Sequence, residues 1–175
     1  EIVRKIKMIL EIDEIDDYCS FDYNNFNYKT LVIKSGQIST LIVPDGVETI
    51  ICPNLGISNL ILPNSIKYIE CQNNNIKKLT IPEFTEYLFA QNNQLEFLEG
   101  SLSEIIFLDL RNNFLHILEC KGCHHLSFLN ITGNYNIQIK DIIDGCGGDW
   151  CMVKDKTFCN FIDHFCKNQL LTLES

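Results

Sequence analysis

The sequence is short of basic residues, of proline and of long apolar runs, and each shortage closes off a class of function. Fourteen lysines and arginines stand against 23 acidic residues, a formal net charge of −9. Neither a nucleic-acid backbone nor an anionic membrane surface is then a natural partner. The longest apolar runs, such as Met8 to Leu10 or Ile105 to Leu108, are a handful of residues, far short of the roughly 20 that cross a bilayer, so no membrane span is expected. No G-x-S-x-G, phosphate-loop or H-E-x-x-H motif occurs, and no Ser, His and Asp set has a triad-like spacing. A chain without catalytic residues or cofactor is the expectation. Only four prolines are present, and three of them turn out to be periodic.

Cysteine, by contrast, is plentiful. The nine cysteines are an odd number, and Cys19, Cys52, Cys71, Cys120 and Cys123 are scattered rather than framed for pairing. Scattered thiols fit a reducing, cytoplasm-like compartment. Asn130-Ile131-Thr132 is a glycosylation sequon, but it falls on an expected strand rather than on an exposed loop. The first 15 residues do not read as a secretory signal, and the opening at Glu1 leaves a leader an open question. At 175 residues and 46% apolar content the chain suffices for one domain with a sizeable core.

The stretches YIECQNNNIKKLTIP (68–82), YLFAQNNQLEFLEG (87–100) and FLDLRNNFLHILEC (107–120) are nearly one phrase written three times. Aligned on the apolar residue of each, Leu31, Ile50, Ile69, Leu88, Leu108 and Leu129 are separated by 19, 19, 19, 20 and 21 residues. A fixed period of this size marks a solenoid, because one turn cannot bury its own apolar edge and stacked turns can. Within a unit the pattern is L-x-x-L-x-L-x-x-N-x-L-x-x-L, as in Ile105, Leu108, Leu110, Asn113, Leu115 and Leu118. Its x-L-x-L-x part alternates with period two and predicts a short strand, inner leucines against the core and x residues outward. Asn74, Asn93, Asn113 and Asn134 stand where the chain leaves the strand, where an amide can bond free backbone groups. Pro44, Pro63 and Pro82 recur at the seventeenth position and suggest an extended return path. Gly36 and Leu55 take the place of the asparagine in the first two units, and Asn136 shifts the pattern in the sixth, so looser turns are expected there.

This pattern resembles the leucine-rich repeat family, in particular the short repeats of bacterial and large-virus proteins. The resemblance covers residues 28–154. It implies a leucine-rich repeat solenoid of the right-handed β-α superhelix class, with a curved parallel sheet of six or seven short strands. Units of 19 to 21 residues leave no room for a long outer helix, so the convex side should be extended or 3₁₀-like. The flanks are expected to be caps. In the N-terminal cap, residues 1–27, Ile6, Met8, Leu10 and Ile12 alternate like a strand, while Ile2, Ile6, Ile9 and Ile12 suit a helix equally. Over 155–175, Phe158, Phe161, Ile162 and Phe165 after Thr157 predict a capping helix from about 156 to 168. Trp150 to Lys154 would make a seventh strand.

The outward residues of the strands fall into rows. One row reads Thr30, Thr49, Tyr68, Tyr87, Phe107, Phe128 and Trp150; the next reads Val32, Ile51, Glu70, Phe89, Asp109, Asn130 and Met152; the third includes Gln72, Gln91 and Arg111. Two readings of this aromatic ladder stand side by side. Aromatics are good strand formers that pack on cross-strand neighbours, and they are also the usual anchors of protein interfaces. On the second reading the expected function is protein binding on the sheet face, with Tyr68, Tyr87, Phe107, Phe128 and Trp150 as anchors beside Phe89, and with Glu70, Asp109 and Arg111 giving polar selectivity. Alternatives are a structural subunit of a larger assembly such as a virion, and a secreted effector or receptor-like domain. Cys120, Cys123 and His125 resemble half a zinc site, yet four convergent ligands are not evident and no metal is assigned.

Overall fold

The computed structural model of the protein describes residues 8–17, 27–119, 123–135 and 137. Among the described residues eleven short strands follow one another: β1 (Ile9–Ile12), β2 (Thr30–Ile33), β3 (Thr40–Ile42), β4 (Thr49–Ile51), β5 (Asn59–Ile61), β6 (Tyr68–Glu70), β7 (Lys78–Ile81), β8 (Tyr87–Phe89), β9 (Phe97–Gly100), β10 (Phe107–Asp109) and β11 (Phe128–Asn130). They build a parallel-strand β-solenoid of about six turns. One side is a seven-stranded parallel sheet in the order β1-β2-β4-β6-β8-β10-β11. The other side carries two separate two-stranded parallel sheets, β3-β5 and β7-β9.

The register is that of the repeat, with Leu31, Ile50, Ile69, Leu88, Leu108 and Leu129 paired one above the next. All six are essentially without solvent exposure, and the adjoining inner positions Ile33, Cys52, Cys71, Ala90, Leu110 and Ile131 are buried beside them. Leu41, Leu60, Leu79 and Leu118 close the core from the back. Each coil therefore lends one apolar edge to the next, which is how turns too small to fold alone are stabilised.

The ambiguity at the N-terminus is resolved in favour of the strand. β1 pairs in register with β2, Leu10 against Leu31, so the sheet's first rung comes from the segment expected to cap it. A strand edge already present in β2 satisfies the backbone of Ile9–Ile12, which a helix could do only internally. Ile15 continues the contact as a bridge to Gly36. There the two backbones approach so closely that a Cβ on Gly36 would lie 1.9 Å from the Ile15 carbonyl oxygen, and its φ is +122°. Gly36 thus stands in place of asparagine because an added turn presses on it, and this turn is not loose.

The proline positions do more than extend the return. Pro44, Pro63 and Pro82 are buried and open tight turns, their carbonyls accepting from the N–H of Val47, Ile66 and Thr85. Leu102 and Cys123 take the same role toward Ile105 and Leu126 in the longer units. The turn is placed three residues before the inner residue that leads into the next strand, so an added residue is absorbed ahead of it. The back is extended, as expected. Among the described residues no helix occurs, so what the structure supports is a β-solenoid rather than a β-α superhelix. The expected helix at 156–168 and the expected strand at Trp150 lie outside the described residues.

Candidate interaction face

The asparagines hold the coils at the spacing that brings the outer rows into register. Asn74 Oδ1 accepts from the N–H groups of Leu55 and Ile57 in the preceding turn, both at 3.0 Å, and its Nδ2 donates to the carbonyls of Cys52 and Cys71. Asn93, Asn113 and Asn134 repeat the arrangement onto Ile76, Leu95 and Leu115. All four are buried, and each amide satisfies backbone groups that the turn leaves unpaired. The residue before each is also specialised: Asn73, Asn92 and Asn112, like Asn54 in the second turn, have φ between 52° and 60°, and Gly133 takes this left-handed place in the sixth turn. Asparagine and glycine are the residues that enter this region at low cost.

With the coils fixed, Tyr68, Tyr87, Phe107 and Phe128 stand one above the next on β6, β8, β10 and β11. The rings form a continuous chain that passes through Phe89 of the neighbouring row. Tyr68 lies 5.7 Å from Tyr87 and 5.6 Å from Phe89, Phe89 lies 4.6 Å from Phe107, and Phe107 stacks on Phe128 at 4.1 Å with only 5° between planes. All five are half-buried, shielding one another rather than standing free. Trp150 lies outside the described residues.

Two polar groups border the chain. The Tyr68 hydroxyl donates a short hydrogen bond to Glu70 Oε1. Partial burial, and then this bond to an anion, push the phenol up to about 12. Arg111 folds back on its own strand, with Nε 2.9 and 3.0 Å from the two Asp109 oxygens and Nη2 2.6 Å from Oδ2. The hydrogen bonds it donates to Asp109 hold the guanidinium even more firmly in its charged form. Asp109 is only 3% exposed and also accepts from the Arg111 N–H. It is therefore placed to hold Arg111 rather than to meet a partner, whereas the Arg111 side chain keeps 44% of its surface. Asn130 does for the Thr132 N–H what Asp109 does for that of Arg111.

Reading along the rows found the ring positions but missed the bonds that cross them. The spacing i, i+2 places Tyr68 with Glu70, and Asp109 with Arg111, on one face of an extended chain, and that signal was present in the sequence. The back of the solenoid also exposes apolar side chains: Ile42 and Ile61, paired neighbours on β3 and β5, are 46% and 45% exposed. Cys52 and Cys71 are buried free thiols, and Cys123 is buried as well. No protein-family model, curated protein or solved structure matches the chain.

Proposed function

We propose that the chain is a leucine-rich repeat protein of the short-repeat kind, a non-catalytic module that holds a protein partner on the concave face of its seven-stranded sheet. The observation that carries this reading is the unbroken chain of five half-buried rings on four consecutive rungs, bordered by a fixed carboxylate and a fixed guanidinium. Aromatic side chains already ordered by their neighbours lose little entropy on binding, which is the property of interface anchors. Tyr87→Ala and Phe107→Ala are the test. Each should weaken capture of a partner from the native host by roughly tenfold or more, while the far-ultraviolet spectrum stays that of the wild type. A capture profile unchanged in both variants would remove the face from consideration.

A second reading, a permanent subunit of a larger assembly, is favoured by the apolar back, where Ile42 and Ile61 stand side by side and half-exposed. Sedimentation of the purified chain separates the two, since a monodisperse monomer that shows no tendency to assemble counts against the subunit. The working compartment we propose is cytoplasmic; the buried, unpaired Cys52 and Cys71 support it.

A further inference from the structure

The ring chain has a direction to it that the row of residue names conceals. Phe107 lies between Phe89 and Phe128, and Phe89 between Phe107 and Tyr68. The interplanar angles are 5° at Phe107–Phe128 and 28° at Phe89–Phe107, so these rings lie face against face along the solenoid axis. Their negative π faces are turned to one another, and their hydrogen-bearing edges, the positive part of the quadrupole, are turned outward. Such a surface is ill suited to a cation, or to a nucleobase that must stack flat, since both need an open ring face. It suits an electron-rich group that meets an edge, foremost the face of another aromatic ring.

The border is polar in a definite sense. Glu70 is held on β6 by the Tyr68 hydroxyl. Arg111, just beyond β10, is held by buried Asp109 with part of its fork still open. The two lie two rungs apart, roughly 10 Å at the usual strand separation, with Phe89 on the rung between them. One end of the strip accepts hydrogen bonds and the other donates them.

We infer that the occupant is a protein segment that lays an aromatic ring face-on against the edges of Phe89 and Phe107, with a basic side chain toward Glu70 and an acidic one toward Arg111. This rests on the docking reading of the same face and sharpens it to a partner chemistry and an orientation. The experiment is panning of a random displayed peptide library on the full chain, with depletion on the Phe107→Ala variant. Peptides that survive depletion should carry Phe, Tyr or Trp between a Lys or Arg on one side and an Asp or Glu on the other. Synthesised, they should lose about tenfold in affinity on Glu70→Gln, and neutralising their basic residue should then cost nothing further. The same should hold for their acidic residue on the Asp109→Asn/Arg111→Gln double variant, which leaves no buried carboxylate unpaired. Strip-dependent peptides that lack an aromatic residue, or that bind both variants as tightly as wild type, overturn this inference and leave the docking reading standing. A library from which nothing survives depletion, every binder holding Phe107→Ala as well as wild type, overturns the docking reading and this one together.

Discussion

At the scale of single residues, neighbouring asparagines have opposite tasks. Asn93 is buried and bonds Ile76 N–H and the carbonyls of Cys71 and Ala90. Asn92 is exposed and has φ 56°; its side chain bonds the side chains of Asn73 and Asn112, while its backbone N–H donates to the Arg111 carbonyl. Asn93→Ala strands buried backbone groups and should cost about 3 kcal/mol in urea unfolding, whereas Asn92→Gly keeps its left-handed turn and should cost under about 1 kcal/mol. Asn93→Asp separates the roles further, because its carboxylate would face two carbonyl oxygens. When protonated it regains one donor, so this variant should be less destabilised in mild acid than at neutral pH, and a flat pH dependence would refute the donor role. The ninth position was readable from the sequence as structural. The eighth was not singled out, although Gly133 following Asn54, Asn73, Asn92 and Asn112 at one place is the mark of a left-handed backbone. Burial gives a further residue-scale expectation. Desolvation raises the Cys52 thiol well above its ordinary value and the Cys71 thiol to about 12. Iodoacetamide followed by peptide mass mapping should leave both unlabelled in the native protein, and label them on unfolding.

Among the elements, β10 and β11 offer an internal comparison. Asp109 needs Arg111 as a counter-ion, whereas Asn130 fills the same place one rung on without one. Arg111→Thr alone should cost about 2 kcal/mol by leaving the buried carboxylate uncompensated. Adding Asp109→Asn copies the next turn and should restore most of it, and a double variant as unstable as the single one would show that the pair does not act as a unit. On β6 the raised phenol of Tyr68 gives a pH signature. Its folded value lies above the unfolded one, so its contribution is complete below about 10 and is lost as pH rises through about 12. Phenolate absorbance should show a late-titrating component that Tyr68→Phe removes. The strands of the large sheet follow from period-two alternation. Whether Ile9–Ile12 is strand or helix does not, because either pattern fits those few residues, and pairing with β2, a contact about 21 residues away in sequence, decides it.

On the scale of the whole molecule, the period announces a solenoid but not how evenly its coils adhere. The large sheet is continuous, β4 pairing with β6. The back is not, for β5 and β7 do not pair, and a groove of about 720 Å³ opens between them, lined in part by Ile61, Leu62, Lys78 and Ile81. Turn-to-turn backbone bonding there includes Asn75 N–H to the Ile57 carbonyl at 2.7 Å and goes no further along the back strands. Side-chain register alone could not reveal this, since Leu60 and Leu79 keep their places in the core on both sides of the gap. In a stack whose stability is a sum of unit and nearest-neighbour terms, the junction with fewer bonds is where opening begins. Leu41→Ala, which leaves a cavity in the first part of the stack at a cost of about 3 kcal/mol, should therefore not be felt equally by every coil. Native-state hydrogen exchange should show Leu31–Ile33 and Thr49–Ile51 losing more protection than Tyr87–Phe89 and Phe107–Asp109. Equal loss along all the strands would mean that the continuous sheet alone couples the coils, and that the gap behind it is no boundary.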